Sequence, residues 1–247
     1  MAAVTGQSFI TSSDLYTSTA SPGDGMRMGQ LAYSGEGKAF RYSLAGGTTL
    51  VVGNLLQESA QDTSYENMSV LANAAGDTTL NVTNGTATIT SEQFRDGSLS
   101  VYTAGGIAVG DEYTVKGITG TLTTGGALSV AVDRPLRTAW TTSAKVNMKR
   151  SPWSGVIQFP TTQTGVPVGI AIYPITNAQY GWVQTHGVAA ALSDGSTFAV
   201  GTDVMTSVGG TAGAVSVYSV ATTKAHVGVA RQAAASAKAI SIWLQID

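Results

Sequence analysis

The chain has 247 residues, of which 43% are hydrophobic and 11% charged, and its formal net charge is −2. This length suits one large β domain or two smaller ones, each with a hydrophobic core. The charged fraction is lower than the usual value of about a quarter. The 13 Lys and Arg residues form no basic run, which argues against nucleic acid binding through phosphate neutralisation. The absence of Cys excludes disulfides, thiolate catalysis and Cys-type zinc sites.

The remaining composition favours β structure. Thirty glycines, together with many Thr, Ser, Ala and Val residues, are typical of short strands and tight turns rather than helices. The first residues lack the basic and apolar stretches of a signal peptide, and no apolar run approaches the roughly 20 residues that span a bilayer. We expect a soluble protein that is made in a cytoplasm and does not associate with a membrane.

Residues 1–25 differ from the rest of the chain. They are rich in Ser, Thr, Ala and Gly, contain few large apolar side chains, and end in the turn sequence SPGDG. We expect an extended N-terminal arm. Such an arm either frays as a chain terminus or becomes ordered against a neighbouring subunit.

A first β domain is predicted over residues 26–136. It opens with two alternating strands around a Gly-rich turn, and the stretch 57–71 is the one compatible with a short helix. Between residues 77 and 135, short alternating segments recur about every ten residues. Such spacing is typical of a sandwich or barrel, and Asn84-Gly85 is a strong hairpin signal.

A second β domain is predicted over residues 137–247, after a bridge at 134–153 that contains two prolines. Whether the two domains are independent or share strands stays open, with packing of residues 26–56 onto the C-terminal barrel as the alternative. About seven strand-like segments follow, separated by Gly, Asp-Gly and Thr clusters: SGVIQFP, GVPVGIAIYPI, YGWVQTHGVAAAL, TFAVGTDVMTSV, GAVSVYSV, AHVGVARQA and KAISIWLQI. The predicted fold class is therefore all-β, with two or more small antiparallel barrels or sandwiches and an extended N-terminal arm.

The segment YGWVQTHGVAAAL contains one of only two histidines. Period-two alternation places Tyr180, Trp182 and Gln184 on one face of a strand that we expect to turn at Gly187. We expect Trp182 to pack inside the C-terminal barrel and His186 to lie at the strand end without a partner that would make it a base.

Catalytic residues are not predicted. A Ser/His/Asp triad can be drawn from His186 or His226 with Ser193 or Asp194, but there is no G-x-S-x-G elbow and serines are abundant. We interpret both histidines as strand residues. A carboxylate pair for glycoside hydrolysis stays an open alternative, although nothing singles out one pair among the 15 acidic residues.

Metal, phosphate and sugar sites are not predicted either. The Asp-Gly pairs at 24, 96 and 194 lack the acidic frame of a calcium loop, and we interpret Asp111-Glu112 as a solvated turn pair. The Gly-rich stretch 209–217 has no P-loop lysine. A calcium site at a subunit interface remains an alternative. We expect the four tryptophans, which could form a sugar-stacking surface, to serve in core and hinge packing instead: Trp140, Trp153, Trp182 and Trp243.

Three regions of the chain together resemble the head accessory proteins of tailed bacteriophages. GQLAYSGEGKAFRYSLAGGTTLVVGNLLQ resembles their opening, and FRDGSLSVYTAGGIAVGDEYTVKGITG with LSVAVDRPL resembles their middle domain. YGWVQTHGVAAAL, VGTDVMTSVGGTAGAVSVY and HVGVARQAAASAKAISIWLQI resemble a C-terminal barrel of phage capsid decoration proteins. The resemblance covers residues 27–246.

The resemblance implies a structural virion protein without catalytic activity, cofactor or metal. The partner would be the major capsid protein on the exterior of an icosahedral phage head, and the chain would associate with itself, as a homotrimer. A low surface charge permits close packing between copies, and many modest contacts add up through multivalency. The alternatives are a virion appendage or tail module that binds host glycans, and a polysaccharide hydrolase on a β scaffold.

Overall fold

The computed structural model describes residues 8–23, 25–90, 92–103, 110–207, 210–219, 224–234 and 238–247. These residues contain one helical turn, α1 (Ser12–Leu15), and seventeen strands. The strands are β1 (Ser8–Phe9), β2 (Leu31–Tyr33), β3 (Ala39–Ala45), β4 (Leu55–Gln57), β5 (Met68–Ser69), β6 (Thr79–Thr83), β7 (Ser98–Thr103), β8 (Glu112–Gly120), β9 (Ala127–Val132), β10 (Lys145–Lys149), β11 (Ser154–Gln158), β12 (Pro167–Ala171), β13 (Tyr180–Leu192), β14 (Asp203–Thr206), β15 (Val215–Val217), β16 (His226–Ala230) and β17 (Ala239–Gln245). The predicted all-β class is confirmed, and β11 to β17 fall in the seven predicted C-terminal segments.

The chain forms two compact units, and the first unit is discontinuous in sequence. It combines Met1–Ala60 with Pro152–Asp247, whereas the second is Gln61–Ser151. The structure thus divides the chain differently from the predicted domains 26–136 and 137–247. The physical reason is strand pairing, because β3 pairs with β11 and β13 and so belongs to the same sheet as the C-terminal segments.

A closed five-stranded barrel lies at the centre of the first unit. Its strands follow the order β3, β11, β4, β12 and β13, and the pairing of β13 with β3 completes the ring. Small and aliphatic side chains fill it, which is what a barrel of five strands can accommodate. They are Ala45, Leu50, Leu56, Val156, Val168, Ala171, Ile175 and Val183.

Strand β13 is thirteen residues long and connects two parts of one eleven-stranded sheet, which runs from β1 at one end to β15 at the other. Its first half pairs with β3, and its second half pairs with β17, which continues to β16, β14 and β15. The change of partner falls at His186, next to Gly187, whose φ of +89° is a conformation that favours glycine. The predicted turn at Gly187 is therefore wrong, because the strand continues through this residue.

The N-terminal segment 8–23 lies against its own unit. Strand β1 pairs in parallel with β2, and Thr19 forms an antiparallel bridge with Tyr180. Leu15 joins a cluster with Phe40 and Trp182 on the side of β3 and β13 opposite to the barrel core. The expectation that Trp182 packs inside the barrel is wrong, although its predicted alternation with Val183 is confirmed. Residues 1–7 and Asp24 of the predicted arm lie outside the described residues.

The second unit is a six-stranded antiparallel sheet in the order β5, β10, β7, β8, β9 and β6. An additional bridge between Val70 and Val82 links the segment after β5 to β6. The stretch compatible with a helix forms only a 3-10 turn at Thr63–Tyr65. The hairpin predicted at Asn84-Gly85 does not form, because β6 pairs with β9 rather than with the segment after Gly85.

Within the described part of the chain, no helix combines the length and the apolar character needed to cross a membrane.

Candidate functional site

The two histidines contact neither Ser193 nor Asp194 in any of their described interactions. The His186 ring packs edge-on against the indole of Trp243, with ring centroids 5.6 Å apart. The Nε2 atom of His226 lies 3.4 Å from Oδ1 of Asp203, and both side chains are largely exposed. The Ser/His/Asp combinations that can be drawn from the sequence are therefore not brought together.

Ser193 and Asp194 instead belong to a turn that side-chain hydrogen bonds stabilise. The Asp194 carboxylate accepts hydrogen bonds from the backbone N–H and the hydroxyl of Ser196, at 3.0 and 2.6 Å, and from the Ser207 hydroxyl at 3.1 Å. Burial raises the pKa of Asp194, but these hydrogen bonds outweigh it and hold the pKa below its ordinary value. An ionised carboxylate whose oxygens already accept these bonds stabilises the turn.

The acidic turns singled out in the sequence do not converge on a metal site within the described ranges. Among these residues, no cluster of three or more His, Asp or Glu side chains could hold an ion. Asp111 accepts a hydrogen bond from the Tyr113 hydroxyl at 3.3 Å. Burial, together with the Asp111 charge, raises the pKa of Tyr113. Asp111 therefore acts locally, as a partner of a core tyrosine.

The four tryptophans occupy different environments. Trp140 and Trp182 are buried, as predicted, with 2% and 5% of their surface exposed. Trp153 is half-buried, and the guanidinium carbon of Arg41 lies 5.8 Å from its ring centroid. Trp243 is 40% exposed, so the prediction that it serves core packing is wrong.

Trp243 lies at the centre of an exposed sheet face. It is the direct cross-strand partner of Val188 on β13 and of Val229 on β16. Side chains of directly paired residues point to the same side of a sheet. Ala190 and Ser241 form the next directly paired row on that side. We call these five residues the Trp243 face.

The opposite side of the same strands faces a core. Ala189 pairs with Ile242, Ala191 pairs with Ile240, and all four side chains are buried. The alternation AISIWLQ contains this information, because Ile240, Ile242 and Leu244 share one phase and Trp243 lies in the other. This alternation was the sequence signal for the exposed position of Trp243, and the prediction that Trp243 packs in a core did not use it.

The Trp243 face lacks formal charge. Strands β13, β16 and β17 contain no Asp, Glu, Lys or Arg, and their titratable side chains are His186, His226 and Tyr180. Covering an uncharged face of this kind removes apolar surface from water without desolvating an ion. Exposed apolar patches on soluble proteins commonly mark surfaces that contact other molecules. The Trp243 face is therefore the candidate functional site.

A further exposed aromatic ring lies at the other edge of this sheet. Phe9 in β1 is 74% exposed, and β1 is the terminal strand of the eleven-stranded sheet. The Gly-rich stretch 209–217 contributes β15 at the opposite end, and its residue 209 lies outside the described residues. Gly213 lies against Asn54 and Gln158, which accounts for glycine at that position by close packing.

Comparisons with protein-family models, with curated proteins and with solved structures return no match for this chain. The resemblance to phage head accessory proteins therefore rests on the residues quoted for it.

Proposed function

We propose that the chain is a structural virion protein: a capsid decoration protein that binds the outer surface of an icosahedral phage head and bridges neighbouring major capsid subunits. The observation that supports this best is the Trp243 face, an exposed and uncharged sheet surface with a tryptophan at its centre. In this proposal the chain has no enzymatic activity and acts through contact alone.

The chemistry of the face suits a protein partner. Trp is enriched among the residues that contribute most to protein interfaces, especially where surrounding contacts exclude water. Val188 and Val229 flank Trp243 on both sides and provide such an apolar surround. One modest contact of this kind is sufficient when many copies bind one lattice, because linked contacts raise the effective affinity. We further propose that the chain acts as a homotrimer, so that three such faces engage the shell together.

Glycan binding is the second candidate, and the exposure of Trp243 is the observation in its favour. A sugar ring stacks on an aromatic ring, but its hydroxyls also need hydrogen-bonding side chains close by. The direct cross-strand partners of Trp243, Val188 and Val229, are aliphatic. Its polar neighbours are Ser241, two residues away on its own strand, and His186, whose ring packs edge-on against the indole. The aliphatic cross-strand partners favour a protein surface over a saccharide.

Co-sedimentation with isolated, expanded heads of the phage particle that contains this chain tests the proposal. Trp243→Ala should weaken binding by at least about tenfold, as expected for a hot-spot side chain. Tyr102→Ala is the matched control, because Tyr102 is a 56% exposed aromatic of the second unit. Equal binding of the two variants would exclude the Trp243 face as the contact surface.

Two measurements address the remaining parts of the proposal. Cryo-electron microscopy of the particle should place density for the chain on the outer shell, and density confined to the tail would favour the appendage alternative. Light scattering of the purified chain should give the mass of a trimer. A strict monomer that also fails to bind expanded heads would refute the decoration role.

A further inference from the structure

A cavity of about 380 Å³ lies between the N-terminal segment and the side of β2, β3 and β13 that faces away from the barrel core. Phe9 and Ile10 line it from the N-terminal segment. Tyr42, Tyr180 and Trp182 line it from the sheet. Its volume is within the range of small-molecule sites, and it forms only because the N-terminal segment lies back on its own unit.

Three aromatic rings form one wall of this cavity. Tyr42 and Tyr180 are stacked with an interplanar angle of 12° and ring centroids 5.9 Å apart. Trp182 is tilted by 60° against Tyr42, at 5.2 Å between centroids. The Tyr42 hydroxyl accepts a hydrogen bond from the backbone N–H of Gly23 at 2.9 Å, which fixes the ring beneath the segment. The wall therefore consists of aromatic rings at two inclinations, and the faces of aromatic rings attract cations.

Among the described residues that line the cavity, Asp14 carries the single formal charge. The other polar side chains of the lining, Thr17, Thr19 and Gln30 among them, are neutral. The described side-chain contact of the Asp14 carboxylate is a hydrogen bond from the Thr11 hydroxyl at 2.5 Å, and no Lys or Arg is among the described residues that line the cavity. The described part of the lining therefore carries a net negative charge, on an exposed side chain.

We propose that this cavity binds a small organic cation of the alkylammonium class. The cationic centre would lie against the rings of Tyr42, Tyr180 and Trp182, where the negative ring faces attract it, and Asp14 at the rim would balance its charge. The exposed Asp14 carboxylate repels an anion, and a neutral ligand gains no attraction from it. The site is independent of the Trp243 face and does not rest on the decoration role.

Occupancy of this cavity has a structural consequence. The ligand contacts both the N-terminal segment and the sheet, so that its binding free energy also holds the segment in place. Anything that binds only the folded arrangement stabilises it by mass action. Saturation with the ligand should therefore slow proteolytic cleavage within residues 8–23 while leaving cleavage within the second unit unchanged.

Calorimetric titration with choline and with its neutral isostere 3,3-dimethylbutan-1-ol tests the proposal. The two probes have the same shape and differ by the charge, so choline should bind about tenfold more tightly. Asp14→Asn and Tyr180→Leu should each reduce choline binding several-fold and leave the alcohol unaffected. Asp203→Asn is the matched control, because it removes an exposed carboxylate of the same unit that does not line the cavity.

Two further measurements identify the source of the cation and distinguish this proposal from the decoration role. Butylammonium is the third probe, since it mimics a lysine side chain. If butylammonium binds more tightly than choline, the natural ligand is a lysine side chain of a protein. If it binds more weakly, the natural ligand is a free quaternary amine. Trp243→Ala should bind choline like the unaltered chain, whatever its effect on head binding. Equal affinity for choline and the alcohol, no binding of either, or full choline binding by Asp14→Asn overturns the proposal.

Discussion

The substitution Asn84→Asp should strongly destabilise the second unit. The Asn84 side chain is 4% exposed, and its Nδ2 donates to the backbone oxygens of Ala87, Leu122 and Thr123 at 3.0, 3.0 and 2.8 Å. Its Oδ1 is buried, and no described residue donates a hydrogen bond to it. A carboxylate at this position would face three carbonyl oxygens and receive no hydrogen bond in place of those that Nδ2 donates.

The magnitude of the destabilisation follows mainly from burying a charge at position 84. The oxygens of Leu122 and Thr123 keep backbone donors, the N–H groups of Ile89 and Gly126, so the main penalty is the buried charge itself. An uncompensated buried charge costs about 3–5 kcal/mol. A typical domain has only about 5–15 kcal/mol of stability, so this loss would take a large share. For a domain of fewer than 100 residues it corresponds to a drop of more than about 10 °C in Tm.

Urea unfolding monitored by circular dichroism measures the effect, and hydrogen exchange of amides within 61–151 assigns it to the second unit. Asn81→Asp is the matched control, because it makes the same chemical change on an exposed side chain of β6, the strand that ends directly before Asn84. The penalty should shrink at acidic pH, where the carboxyl at position 84 takes up a proton and donates again. A free energy of unfolding for Asn84→Asp within about 0.5 kcal/mol of the Asn81→Asp value would refute this reasoning.

Two further predictions concern the first unit. Trp182→Ala should lower the free energy of unfolding by about 3–5 kcal/mol, as for other large-to-small core changes, and should expose the N-terminal segment to protease. Trp243→Ala should lower it by less than about 1 kcal/mol. Equal urea midpoints for the two variants would contradict the burial of Trp182 and the exposure of Trp243. Asp194→Asn should lower the free energy of unfolding by about 1–3 kcal/mol at pH 7. Because the folded pKa of Asp194 is lowered, its contribution is complete above the unfolded value of about 3.9 and is lost as the pH falls through the folded pKa. The stability difference from the unaltered chain should therefore narrow on acidification, and a difference that is constant from pH 7 to pH 3 would show that the ionised form is not what stabilises the turn.

The proposed sites were only partly accessible from the sequence. The alternation in β17 contains the information that Trp243 lies opposite Ile242, but not that its side of the sheet stays uncovered. The aromatic cavity could not be predicted, because it depends on where the N-terminal segment lies. Asp14 and Tyr180 are far apart in sequence, and only the packing of the segment on β13 places both at one cavity.

The sequence by itself determined the all-β class and the strands of the C-terminal segments. Period-two alternation and Gly-rich punctuation are local properties, and they also placed Trp182 and Val183 on opposite faces of β13. Asn84-Gly85 shows the limit of local signals: the dipeptide favours a hairpin, yet Gly85 approaches the Ser64 carbonyl so closely that a Cβ would lie 1.7 Å from its oxygen. That approach gives glycine a packing role at this position.

Only the tertiary structure decided which strands are neighbours and therefore which residues form a unit. Alternation specifies the two faces of a strand, but it does not specify the partners along its edges or the element that covers each face. The pairing of β3 with β13 joins residues more than a hundred positions apart, and with it Met1–Ala60 becomes part of the unit that contains Pro152–Asp247. Such non-local contacts depend on the whole chain, which is why the sequence left open whether residues 26–56 pack onto the C-terminal barrel.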